Sequence, residues 1–316
     1  MSEVIASRTE MLPDGVPERI GLVGLGSMGR GLAKSLLRGG FAVVAYDTAP
    51  EAGPDLEALG LVRGSSLPDV AIAGIIITCL PDPEAIRAVY LAADGLLASA
   101  RAGTVIVDCS TSDPNLTRSL CEQAATRGIV VIDAPMLMGP REAAEGTLTL
   151  IVGGPADLVA ALHPLFDAIS ARVIPAGPIG SAHLLKLINN AVVLGTHAVL
   201  CEAFTMATTE HIDLQIVWDV LSQSRAASRK LDELAPRLIN DDHSLHFSLA
   251  VATKDLGLFD AMAKSVGTPH GVTAAAHDAF CRAMVLGFGT QNVSRVATAM
   301  AFDAGSSGQQ EDRSPC

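Results

Sequence analysis

Basic residues are scarce in this chain. Across 316 residues, 22 Lys and Arg stand against 34 Asp and Glu, for a net charge of −12. Such a surface repels phosphate backbones and anionic lipid, which excludes nucleic acid or a membrane surface as the main partner. An acidic small molecule held in a local basic pocket stays allowed. Metal-type cysteine patterns are missing too. Cys79, Cys109, Cys121, Cys201, Cys281 and Cys316 are scattered, with no CxxC pair and no His/Cys cluster at ligand spacing. We expect no metal, ordinary core thiols and a reducing cytoplasm. The opening "MSEVIASRTEMLPDGVPER" lacks the apolar core of a signal peptide. No apolar run free of charge or Pro/Gly breaks reaches the ~18 residues of a membrane span. The expectation is a soluble protein with a small-molecule partner.

What is present is alternation. "RIGLVGLG", "FAVVAYD", "GIIITCL", "TVIVDC", "IVVIDAP", "LTLIVGG" and "RVIPAG" are short Val/Ile-rich runs that read as strands buried on both faces, the habit of a parallel sheet. Helix-length segments lie between them at Met28–Arg38, Pro83–Ala92, Ser112–Arg127 and Pro155–Ile169. The third opens with Ser112 or Asp113 as N-cap and Pro114 in its first turn. This predicts an α/β fold: a doubly wound Rossmann-type sheet over 19–178, after a flexible segment 1–18. Beyond Gly180 the pattern turns all-α. A long helix of about thirty residues, spanning about 45 Å, opens a helical domain over 179–302. Breaks fall at Pro236, Asp241–Ser244 and Gly267–Pro269, and a disordered tail follows over 303–316.

Chemistry gathers at three places. "GLGSMG" sets Gly24, Gly26 and Gly29 in GxGxxG spacing between a strand and a helix. The first glycine allows the tight turn, the second the approach of a pyrophosphate, and the third close helix–strand packing; the helix N-terminus faces the phosphates. Gly24, Leu25, Gly26, Ser27, Met28 and Gly29 are therefore the expected cofactor cradle. Asp47 closes the second strand about 20 residues beyond Gly24, where an acid hydrogen-bonds ribose hydroxyls. A carboxylate there repels a 2′-phosphate, so NAD is preferred over NADP. On the long helix, Lys186 and Asn190 are i, i+4 and share a face near His183. A lysine so placed either snorkels to solvent or handles the proton of a reacting oxygen, with the asparagine holding substrate and lysine.

In order along the chain, "GLGSMG", "CLPDPEAI", "VDCSTSDP", "DAP…GTLTLIVGG", "GPIGSAHLLKLINN" and "FSLAVATKDLGL" resemble the β-hydroxyacid dehydrogenases, a family that includes 3-hydroxyisobutyrate dehydrogenase and tartronate semialdehyde reductase. The resemblance covers about 19–302. It implies Lys186 as general acid/base on the substrate oxygen with Asn190 beside it. It also implies Leu80, Pro81 and Thr111 lining the cofactor, and Lys254 closing over nicotinamide and substrate. Proton transfer at Lys186 is eased by burial and a neighbouring positive charge, for which Lys254 is the candidate. Members of the family are commonly homodimers or homotetramers built around the long helix.

The resemblance breaks in one loop. After Asp-Ala-Pro the family reads roughly Val-Ser-Gly-Gly and holds the substrate carboxylate; here the aligned residues are Met136, Leu137, Met138 and Gly139. Three readings stand open for the substrate residues Leu137, Met138 and Gly139. The acid is bound otherwise, through Arg141 or Arg225; the substrate is a less polar aldehyde or ketone; or the loop has drifted while keeping its backbone contacts. Asn292 and Val293 depart where the family often shows Asp-Ser-Ala. The leading expectation is an NAD(P)-dependent oxidoreductase interconverting a small 3-hydroxy acid, or related alcohol, and its carbonyl partner. The alternatives are an imine or carbonyl reductase, whose members usually lack the lysine, and an inactive dinucleotide-binding module.

Overall fold

A computed structural model describes residues 19–308. The flexible segment expected at 1–18, and the tail from 309 on, lie outside the described residues. The chain divides into two compact units with their boundary between Lys186 and Leu187. That boundary falls inside the long helix rather than ahead of it.

The first unit is a nine-stranded sheet among the described residues. Its strands are β1 (Arg19–Val23), β2 (Ala42–Tyr46), β3 (Val62–Arg63), β4 (Ile75–Thr78), β5 (Val105–Asp108), β6 (Val130–Asp133), β7 (Met136–Leu137), β8 (Leu148–Gly153) and β9 (Ser170–Gly177). The order is β3-β2-β1-β4-β5-β6-β8-β7, with β9 paired to β8. Strands β1 to β6 run parallel, and all but the two-residue β3, whose Val62 is exposed, are largely buried. Ile75 and Ile77 enter one hydrophobic cluster while Ile76 enters the other, as period-two alternation demands. Strand order reverses direction between β1 and β4, and a doubly wound sheet binds its ligand at that point, beyond the carboxyl ends of the strands.

Four expectations change here. β8 runs antiparallel to β6 and β7. The chain between β6 and β8 is spent on β7 and the short helix Pro140–Glu145, leaving no crossover long enough to return it parallel. The stretch after Asp133 is thus part strand, where a loop was expected. β9 is largely exposed on its edge, where Pro175 costs no ladder bond, instead of buried on both faces. The helix expected over Pro155–Ile169 is two, Ala156–Ala161 and His163–Ile169, the second opening with Pro164 in its first turn. The helix Pro114–Ala125 is capped by Asp113, whose carboxylate accepts the Asn115 amide at 2.8 Å.

The long helix runs Ser181–Thr209. By length and composition alone it is apolar enough to cross a membrane, with a mean hydropathy of 1.5, yet it carries buried His183, Asn190 and His197. The second unit adds Leu214–Ser222, Arg229–Ile239, Leu249–Val266, Gly271–Val285 and Arg295–Gly308. These close around Leu194, Cys201, Phe204, Leu234, Leu256 and Phe280. Pro236 does not break its helix: the apolar face of Leu231, Leu234 and Ala235 is buried and holds the turn together. The expected breaks at 241–244 and 267–269 are present, the second with Gly267 in the left-handed conformation at φ 70°. The last helix continues to Gly308, into the segment expected to be a tail. Burial lowers the pKa of His197 to about 3, so this imidazole is neutral and packs edge-on to Phe280.

Candidate active site

The cradle is built from steric necessity. Gly24 has φ 97°, and a Cβ there would lie 2.2 Å from the Cys79 carbonyl oxygen. A Cβ on Gly29 would lie 1.9 Å from the Gly24 oxygen. Neither position tolerates alanine without moving backbone. Gly26 differs, since nothing of the protein lies within 4 Å of its would-be Cβ. Its bareness serves whatever approaches from outside, and it precedes the helix Ser27–Arg38, whose first turn has no side-chain cap. These features fit a dinucleotide pyrophosphate. Leu80 and Pro81 follow β4, next to the cradle across the switch point, and the Leu80 amide donates to Ser110 Oγ at 2.9 Å. Ser110 is in turn tied through its amide to Asp108, which also accepts from Thr78. Thr111 follows Ser110 at half-burial.

Asp47 stands at the end of β2. Its Oδ2 accepts the Leu25 amide at 2.6 Å and its Oδ1 the Ala49 amide at 2.8 Å. The expected ribose acid therefore also ties β2 to the cradle. Arg63 of β3 clamps the turn that follows, donating to the Ala49 carbonyl at 2.6 Å and to that of Ala52. Sequence reading missed Arg63, because a two-residue strand carries no periodic signal.

Lys186 is half-buried, and its Nζ donates to the Met136 carbonyl oxygen at 2.7 Å. The lysine and the Asp-Ala-Pro segment are thus in direct contact. Asp133, quoted in that motif without a role, turns out to anchor the helix. Fully buried, it accepts the Gly180 amide on Oδ1 and the His183 amide on Oδ2, each at 2.9 Å, and so caps the helix start. The His183 ring bonds Thr117 Oγ1 at 2.7 Å and the Ser110 carbonyl at 3.1 Å. It is a packed, satisfied side chain one turn before Lys186.

In the altered loop, Met138 has φ 78°. A non-glycine residue in this region costs about 1–2 kcal/mol. Met138 therefore holds a backbone conformation that glycine adopts without this cost. The Gly139 amide donates to Glu142 at 3.0 Å. Arg141, one of two cations expected to rescue an acid group, is instead paired with Glu145 at 2.8 Å on the surface.

The second unit holds the remaining residues. Asn190 Nδ2 donates to Asp255 Oδ2 at 2.7 Å, and Lys254 Nζ lies 2.9 Å from Asp255 Oδ1. Asp255 is buried and joins the two. The Lys254 charge expected to assist Lys186 thus has a carboxylate against it. Asn292 and Val293 are structural: Asn292 donates to the Ser244 carbonyl, and the Val293 carbonyl meets His197 Nε2 at 3.2 Å.

Comparison with known proteins agrees with this geometry. Residues 19–177 match the NAD binding domain of 6-phosphogluconate dehydrogenase. Residues 180–300 match the NAD-binding region of NADP-dependent 3-hydroxyisobutyrate dehydrogenase. The chain is 32% identical to an NAD-dependent L-serine dehydrogenase of Pseudomonas aeruginosa, over 81% of this chain and 90% of that one. It is 30% identical to an L-threonate dehydrogenase of Cupriavidus necator, over 88% and 94% respectively. The solved structure of the Mycobacterium tuberculosis 3-hydroxyisobutyrate dehydrogenase with L-serine superposes with a TM-score of 0.81 at 28% identity, covering 89% of this chain and 98% of that one. The chain belongs to the β-hydroxyacid dehydrogenase family of NAD(P)-dependent oxidoreductases.

Proposed function

We propose that this oxidoreductase interconverts a small 3-hydroxy acid, or a related alcohol, and its carbonyl partner, with Lys186 as general acid/base. The observation that carries the reading is the contact of Lys186 Nζ with the Met136 carbonyl, which sets a half-buried ammonium against the segment that follows Asp133. Gly24 to Gly29 hold the pyrophosphate, and Leu80, Pro81 and Thr111 line the nicotinamide side. The bound cofactor supplies or accepts the hydride. In the oxidative direction the neutral Lys186 amine takes the alcohol proton; in the reductive direction its ammonium returns one to the carbonyl oxygen. Asn190, held by Asp255, orients the substrate, and Lys254 on the same carboxylate serves the cofactor end. The test is absorbance at 340 nm with NAD and L-serine, threonate or 3-hydroxyisobutyrate, and with NADH and simple aldehydes. No change with any of them sinks the reading.

The cofactor is NAD in preference to NADP, because the Asp47 carboxylate meets a 2′-phosphate with like charge. Such a contact costs between about 1 and 4 kcal/mol, so NADH should outperform NADPH by about fivefold or more in kcat/KM. Asp47→Asn, which keeps an acceptor for Leu25, should narrow that ratio. An unchanged ratio assigns the preference elsewhere.

The chain assembles as a homodimer or homotetramer in the cytoplasm. Val192, Val199 and Met206 recur every seven residues along one exposed side of the long helix, an apolar stripe suited to a second copy. Val199→Asp should lower the mass seen by light scattering to that of a monomer. A wild-type monomer contradicts the assembly.

A further inference from the structure

The Leu137–Met138–Gly139 turn offers no side-chain donor to a carboxylate, and its glycine amide is taken. The Leu137 and Met138 side chains bring no donor. The Gly139 amide is occupied by Glu142 at 3.0 Å, which also sets a negative charge against any anion seeking the same N–H. The nearest guanidinium in the chain, Arg141, is turned to Glu145 with its side chain 82% exposed. Lys186 is engaged at the Met136 carbonyl. Meanwhile the backbone at Met138 stays at φ 78°, so a flexible apolar side chain is presented, 62% exposed, from a position whose geometry favours glycine. Strain of this kind persists where the surroundings enforce it, and it gathers at ligand contacts.

We propose that this turn is a specificity element that selects an uncharged, alkyl-bearing alcohol or carbonyl and discriminates against a carboxylate at that end of the substrate, with Glu142 as the excluding charge. The proposal rests on the reading of Lys186 as the proton-handling group, which places the reacting oxygen beside Met136. Leu137 and Met138 provide apolar cover for the alkyl part, and a carboxylate brought there exchanges its hydration for no side-chain donor from these residues.

The experiment compares 3-hydroxy-2-methylpropanoate with its methyl ester as substrates for NAD reduction. The wild type should favour the ester by about tenfold or more in kcat/KM, the scale of one missing bond to a charged group. The triple variant Leu137→Ser, Met138→Gly, Glu142→Gln should move the ratio toward the acid by about ten- to a hundredfold. A wild type that prefers the acid overturns the proposal, as does a variant in which both rates fall together and the ratio stays put. If neither compound is oxidised, the role assigned to Lys186 fails by itself. Binding of the same pair to the protein–NADH complex, by calorimetry, then decides the specificity: tighter ester supports it, and tighter or equal acid refutes it.

Discussion

Lys186→Ala is expected to lower kcat by about two to four orders of magnitude, the range that a positioned general acid or base contributes. NADH affinity should change little, because the cradle at Gly24–Gly29 and the acid at Asp47 are built on other elements. The arrangement explains why arginine cannot stand in. The Nζ donates to the Met136 carbonyl at 2.7 Å. A guanidinium, always charged, holds the site but cannot take a proton from an alcohol. Lys186→Arg should therefore bind substrate and fail to turn it over. The measurement is steady-state oxidation at 340 nm with fluorescence titration of NADH alongside, and a small primary amine added to the alanine variant should restore part of the rate. Retention of full activity in Lys186→Ala would remove this residue from the mechanism.

Asp133→Ala should cost the first unit about 3–5 kcal/mol, making it the most damaging single change among the residues around Lys186. Two charge-assisted bonds are lost, each worth about 1.5–3 kcal/mol, and two amides at the start of the long helix are left without an acceptor in the interior. A Cβ on Gly153 would already lie 2.5 Å from Asp133 Oδ1, so the carboxylate fills its niche on that side. Because Asp133 accepts the His183 amide, loosening it also frees the turn that carries Lys186. We expect kcat to fall with stability, and Asp133→Asn, which retains one acceptor, to recover roughly half of the loss. Urea unfolding followed by circular dichroism reads the change. A shift in stability below about 1 kcal/mol means that the amides find other partners and the carboxylate is not the anchor.

Much of the molecule was legible because its signals are local. Every apolar run expected to be a strand is one; in all but the exposed edge strand β9, burial leaves a mark in four or five consecutive residues. The glycines of "GLGSMG" were readable because their conformational demand is written in residue type and spacing. What escaped has a common cause. β3 and β7 are two-residue strands, too short for any period, and exist because longer neighbours offer free edges. The direction of β8 was hidden because a strand's composition is the same whichever way it runs. Asp133, Asp255 and Glu142 looked like ordinary acids, because a carboxylate's role depends on which donors surround it.

By itself, then, the sequence determined the alternating α/β half, the dinucleotide cradle, the long helix and the lysine upon it. These depend on periodicity, on glycine's missing Cβ and on helical spacing, all of which act within a few residues. Only the tertiary structure decided that Asp133 caps the helix from strand β6, that Lys186 answers to the Met136 carbonyl, that Asn190 and Lys254 share Asp255, and that Glu142 occupies the amide of the altered turn. Those are pairings between groups far apart in the chain, except that of Lys254 with its neighbour Asp255 and the last. Even there, whether the carboxylate turns back onto Gly139 depends on a helix only six residues long and on how the surrounding sheet holds it. Hydrogen bonds are short and directional, so a residue's type announces what it can offer, and the packed chain alone determines who receives it.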